Sequence, residues 1–126
     1  MRVDEVMVSD VAVVSPDETV RDAALLMGDL DAVALPVGRP GGPVIGIVTE
    51  RDILLRLVAR GLAPGTTPVA AVMSSEVTCC HAGDSADEVA AIMNRRQIRR
   101  MPVLDRRGRL IGLVSLADIL AGAAAR

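Results

Sequence analysis

Apolar and polar positions along this chain alternate between two periods. After Thr19, apolar side chains recur at Val20, Ala23, Ala24 and Met27, a spacing that predicts an amphipathic helix. Ala86, Val89, Ala90 and Met93 repeat that stripe behind Ser85, a good helix cap. Between such stripes lie short continuous apolar runs of strand length. Val11–Val14 predicts a buried strand ended at Ser15-Pro16-Asp17, because proline cannot continue a sheet ladder. Ala34–Val37 and Val44–Val48 predict a hairpin across the turn Gly38-Arg39-Pro40-Gly41-Gly42. The corresponding later turn is Asp105-Arg106-Arg107-Gly108, with Gly108 in the positive-φ place. Closing helices carry Ile53, Leu54, Leu57 and Val58, stopped by Gly61, and Ile119, Leu120 and Ala123, fraying into Ala124-Ala125-Arg126. Short amphipathic turns open each set, at Val3, Val6 and Met7 and at Val69, Val72 and Met73.

These elements come in pairs at one offset. Met7 and Met73, Met27 and Met93, Pro36 and Pro102, and Gly46 and Gly112 are all 66 residues apart. Sliding Val3–Leu54 onto Val69–Leu120 without a gap gives 16 identical pairs in 52 positions. The chain is therefore two copies of a strand-helix-strand-strand-helix unit, residues 1–66 and 67–126, joined through the linker Ala63–Pro68. The fold class expected is mixed α+β: two βαββα repeats packed sheet to sheet as a pseudo-twofold pair. The seam between them is the expected ligand cleft.

Composition narrows the chemistry. Half the chain is apolar, yet it has no Phe, Tyr or Trp, which excludes the aromatic stacking platforms that grip single-stranded nucleic acid. A net charge of −2 argues against a general electrostatic hold on DNA or RNA. All 14 basic residues are arginine, which we attribute to compositional bias. No apolar run has membrane-spanning length, and Arg2, Asp4 and Glu5 do not suit a secretory leader, so a cytoplasmic protein is expected.

The longest repeated statement is Gly46-Ile47-Val48-Thr49-Glu50-Arg51-Asp52-Ile53-Leu54, restated from Gly112 to Leu120. A hydroxyl three residues before an aspartate at a helix start forms a capping box, so Thr49 with Asp52 and Ser115 with Asp118 have a structural reading on their own. Arg95, Arg96, Arg99 and Arg100 cluster ahead of Met101-Pro102, whereas Val33 and Ala34 stand at the equivalent places of the first copy. Arg51, Arg106, Arg107 and Arg109 read as surface charge. Cys79-Cys80-His81 does not make a metal site, since neighbours on a strand face opposite ways and His81 is the only histidine. The two cysteines read as core. No nucleophile-base pair and no phosphate-cradling glycine loop is present, so no enzyme and no required cofactor is expected.

Taken together, Pro36-Val37 to Asp52-Ile53 and Arg99-Arg100-Met101-Pro102-Val103-Leu104-Asp105 to Asp118-Ile119 resemble a tandem pair of CBS domains, the ligand-sensing regulatory module. The resemblance covers essentially the whole chain. It implies binding of an adenosine-containing ligand (AMP, ADP, ATP or S-adenosylmethionine) in the cleft between two repeats. It implies that Asp52 and Asp118 accept hydrogen bonds from ribose hydroxyls, and that Thr49 and Ser115 touch ribose or phosphate. Arg99 or Arg100, next to Met101 and Pro102, would reach phosphates. It further implies a homodimer that signals in trans to an effector protein. A ligand-free structural or oligomerisation module is the competing reading, and a nucleic-acid accessory protein a weaker one.

Overall fold

In a computed structural model of the protein, residues 1–9, 11–39 and 42–124 are described. They form two compact units.

The contiguous unit, Ala12–Val77, holds helix α1 (Val20–Leu30), strands β2 (Ala34–Gly38) and β3 (Val44–Thr49), and helix α2 (Glu50–Ile53), which runs on as a π turn over Leu54–Val58. The hairpin β2–β3 is antiparallel with Pro36 opposite Ile47, as its apolar runs predict. Its core gathers Val14, Val20, Ala23, Leu35, Val37, Val48 and Leu57 with Val69 of the short 3-10 turn Val69–Ala71 and Val72, which caps that turn. Thr19 caps α1 by accepting the Asp22 N–H at 3.1 Å.

The discontinuous unit joins Met1–Val11 to Thr78–Arg126. It contains a 3-10 turn Val3–Glu5, strand β1 (Val8–Ser9), strand β4 (Cys80–His81), helix α3 (Ala86–Arg96), strands β5 (Arg100–Leu104) and β6 (Leu110–Ser115), and helix α4 (Leu116–Ala124). The sheet order is β1-β6-β5-β4, with β4 parallel to β5 and the other pairs antiparallel. Val3, Val89, Met93, Met101, Val103, Val114 and Ile119 fill its core.

The units do not follow the division of the sequence at residues 66 and 67. Each repeat packs with the opening turn of the other. Val3 N–H donates to the Asp84 carbonyl at 2.9 Å, and Val69 N–H donates to the Glu18 carbonyl at 2.8 Å, the same bond 66 residues apart. The repeated glycines explain the fit. A Cβ on Gly112 would lie 2.6 Å from Met7 Sδ, and one on Gly46 would lie 2.6 Å from Met73 Sδ. Only a residue without a side chain lets that methionine lie across the strand.

Three local expectations are corrected. Val11–Val14 is not a regular strand: only Val14 bridges, in parallel, to Val37. The following Pro16 has no N–H to extend a ladder and pushes Ser15 out of register. Ala24 is exposed, so the buried stripe of α1 is Val20, Ala23 and Met27. In the closing helices Leu57 and Ile119 are buried, but Leu54, Val58 and Leu120 are 58 to 60% exposed. Gly61 and Gly108 do take positive φ, at 68° and 78°. Of the turn expected over residues 38–42, Pro40 and Gly41 lie outside the described residues, as do Ala125 and Arg126 of the expected frayed end.

Candidate functional site

Each repeat delivers its hydroxyl and carboxylate at the junction of its last strand with its closing helix. At the end of β3, Thr49 Oγ1 accepts the Asp52 N–H at 3.1 Å while Thr49 N–H donates to Asp52 Oδ2 at 3.0 Å, a complete capping box. The other oxygen, Asp52 Oδ1, accepts from Ser74 Oγ at 3.5 Å and lies 3.9 Å from Arg56 Nε. Both carboxylate oxygens of Asp52 are thus engaged.

At the end of β6 the geometry is half of that. Ser115 Oγ accepts the Asp118 N–H at 2.9 Å. Among the described residues the Asp118 carboxylate itself accepts no hydrogen bond and joins no ion pair. The reciprocal bond from the Ser115 N–H is not formed, and the counterparts of Asp52's two side-chain partners cannot supply the other contacts. Ser74 corresponds to Val8 and Arg56 to Gly122, neither of which can donate from a side chain.

Arg100 opens β5 directly opposite Ser115, and the Arg99 carbonyl accepts the Leu116 N–H at 2.8 Å. This brings Arg99, Arg100 and Ser115 onto one open cavity of about 630 Å³, within the size range of small-ligand sites. Met93, Ile98, Leu116 and Leu120 give it apolar walls, and Asn94 and Gln97 add two amides. Both arginines are exposed, so their guanidinium groups are available to an anion. Met101 and Pro102, by contrast, are buried, and Met101 is packed into the core of its unit. Asn94 and Gln97 were not among the residues singled out from sequence, because a lone amide makes no pattern. Their place at the end of α3, with Gln97 at φ 55°, is the signal that sequence lacks.

The first repeat has a smaller counterpart of about 370 Å³, lined by Met27, Gly28, Asp31, Glu50, Leu54 and Val58 among others. Its charged residues are acidic where those of the larger cavity are basic. Thr49 and Asp52 do not line it. Each cavity lies wholly within one unit.

Outside these cavities, Asp105 organises the second hairpin turn. Its Oδ1 accepts the backbone N–H of Arg109 at 2.9 Å and of Arg107 at 2.8 Å, and Oδ2 pairs with Arg109 Nε at 3.1 Å. The Arg109 N–H bond first, then the Arg107 bond and the guanidinium, hold its carboxyl below the usual value. Cys80 is a core residue, and burial pushes its thiol up to about 12, with Asp84 adding to the rise. Among the described residues no group of three or more His, Cys, Asp or Glu is placed to hold a metal.

A sequence profile for the CBS domain matches residues 3–59 and again 69–124, the two repeats. The chain belongs to the CBS domain family. This CBS pair is 39% identical over 117 residues to CBS domain-containing protein YhcV of Bacillus subtilis, a match covering 93% of this chain and 81% of that one. It is 34% identical over 119 residues to inosine-5'-monophosphate dehydrogenase of Methanocaldococcus jannaschii, but there the match spans only 23% of the enzyme. Among solved structures, Hypoxic Response Protein I with two coordinated zinc ions superposes with a TM-score of 0.86 at 31% identity, covering 96% of this chain and 98% of that one. No helix among the described residues is long and apolar enough to cross a membrane.

Proposed function

We propose that this tandem CBS module is a non-catalytic sensor of an adenosine-containing ligand, an adenine nucleotide or S-adenosylmethionine, and that the second repeat carries its principal site. One observation supports this most: Arg99, Arg100 and Ser115 share a cavity of about 630 Å³, and Asp118, three residues on from Ser115 and not itself on the lining, has a carboxylate with no partner among the described residues. An unoccupied carboxylate acceptor suits a ribose diol, and the two guanidinium groups suit phosphates. Met93, Ile98, Leu116 and Leu120 supply aliphatic walls for a purine in a chain without aromatic rings. Thr49 and Asp52 serve chiefly as a helix cap, because both oxygens of Asp52 are already engaged. Met101 and Pro102 shape the site from behind by fixing β5.

We further propose a cytoplasmic homodimer acting in trans on an effector protein. The closing helix of the first repeat leaves Leu54, Leu55 and Val58 between 48 and 60% exposed, apolar surface typical of a protein contact, and that of the second repeat leaves Leu120 60% exposed.

Calorimetric titration of the wild type, Asp52→Ala, Asp118→Ala and Arg100→Ala with adenosine, AMP and ATP tests the site. Asp118→Ala should weaken all three ligands, and Arg100→Ala should weaken ATP more than adenosine. Undiminished binding in Asp118→Ala beside lost binding in Asp52→Ala would reverse the assignment. No binding by the wild type would favour a structural module instead.

A further inference from the structure

Two copies of one unit present the same carboxylate, but only in the first does the chain cover it with its own side chains. The Asp52 side chain is 12% exposed, and its Oδ1 faces Ser74 Oγ at 3.5 Å and Arg56 Nε at 3.9 Å. Each contact is long, and the two count for little as a source of stability. Their placement is nevertheless fixed by stronger bonds. Arg56 Nη1 donates to the Met73 carbonyl at 3.0 Å and to the Val72 carbonyl at 3.4 Å, which ties the guanidinium down one turn beyond Asp52. Ser74 is pinned to β3 by two backbone bonds with Ile47, of 2.9 and 3.0 Å, so the strand pairing carries its hydroxyl to the carboxylate. All these groups lie within the unit Ala12–Val77.

The second repeat keeps the backbone and changes the side chains. Val8 pairs with Leu113 as Ser74 pairs with Ile47, and brings no hydroxyl. Gly122 stands where Arg56 does, and a Cβ there would lie 2.6 Å from Val6 Cγ1 and 3.1 Å from Met1 Sδ. Packing thus bars an arginine from that position, and the second repeat has no guanidinium to set one turn beyond Asp118. We infer that Arg56 and Ser74 are specificity-determining residues that confine ribose binding to the second repeat, by holding the first-repeat carboxylate closed against a diol. A diol donates two hydrogen bonds, and to reach Asp52 Oδ1 it must displace the Ser74 hydroxyl and part the carboxylate from a charged neighbour. The bond from the Thr49 N–H occupies only Oδ2. Val33 and Ala34 stand at the places of Arg99 and Arg100, so an opened Asp52 site would take a nucleoside rather than a nucleotide. This inference rests on the reading of Asp118 as the ribose acceptor, and adds what closes its counterpart.

The test is calorimetric titration of the full chain with adenosine and AMP, read as stoichiometry. The wild type should bind one adenosine per chain. Ser74→Val combined with Arg56→Met, which keeps an apolar stem and removes the guanidinium, should bind two. AMP should enter the added site roughly tenfold more weakly than adenosine does, for want of a cation. Adding Asp52→Ala to the double variant should return the count to one. The reverse graft, Val8→Ser, should weaken adenosine at the second repeat about fivefold by setting a hydroxyl against Asp118. One adenosine in a double variant that melts cooperatively overturns the inference and leaves the Asp118 reading standing. Two adenosines in the wild type, or a second site that survives Asp52→Ala, overturn it as well. Where the double variant shows no cooperative melt, Val8→Ser decides, and an affinity unchanged by it overturns the inference. No adenosine bound by the wild type overturns the Asp118 reading itself.

Discussion

Asp52 and Asp118 are counterparts, yet their carboxylates answer to different partners. Asp52→Ala removes the reciprocal half of a capping box and the Ser74 contact, so it should destabilise the fold by about 1 kcal/mol. Asp118→Ala removes no side-chain bond to any described residue and should shift stability by less than about 0.5 kcal/mol. It should instead cost about 1.5–3 kcal/mol of ligand affinity through lost hydrogen bonds to a charged group. Thermal melts and titrations on the same pair of variants separate the two effects. The caps were legible in sequence because a hydroxyl and an aspartate three residues apart have few other uses at a helix start. What sets the two sites apart is not legible there, because part of it depends on Ser74 and Val8, residues brought up from the other repeat, and part on a backbone bond that forms in only one of them. Cys80 offers a pH handle. Its folded value of about 12 stands above the ordinary 9.0, so its contribution to stability is complete below pH 9 and falls as pH rises toward 12. Cys80→Ala should flatten that alkaline loss in denaturant melts, whereas an unchanged slope would assign it to other groups.

At the scale of elements, the helices and hairpins announced themselves through period and turn chemistry, and they stand close to where the apolar stripes put them. The outer strands did not. β1 and β4 are two residues long and owe their pairing to the strand beside them, so no pattern of their own could mark them. Nor does Val11–Val14 form the strand its composition suggests, since Pro16 curtails it. Gly46 and Gly112 were visible as repeats, but their purpose lies in a methionine from the opposite copy. Gly46→Ala and Gly112→Ala should each destabilise by about 1–3 kcal/mol through overpacking, read as a lower urea midpoint. Gly28, in α1 with nothing within 4 Å of its Cβ position, should by contrast gain up to about 1 kcal/mol as alanine. Equal effects at the three sites would show that helix and strand propensity, not the methionine, governs them.

For the molecule as a whole, the charge of the proposed site rests on two arginines. Arg99 and Arg100 line the cavity proposed for the nucleotide. Raising salt should therefore weaken ATP more than adenosine in calorimetric titrations, because only the phosphates feel the guanidinium charge. Equal salt dependence for the two ligands would leave the arginines no part in phosphate binding. The exchange of opening turns bears on a different matter, the order in which the protein comes into being. Ala12–Val77 is continuous and can complete its core as soon as it has been synthesised. Met1–Val11 belongs with residues that begin at Thr78 and has no core to join until they exist. Residues 1–11 are therefore made before the middle of the chain and fold after it. They must wait as an apolar arm, Val3, Val6, Met7 and Val8, while the middle of the chain settles. Closing the long loop from Ser9 to Gly112 is the step that ends the wait, and its entropic cost is the penalty of a duplication whose copies hold each other's beginnings.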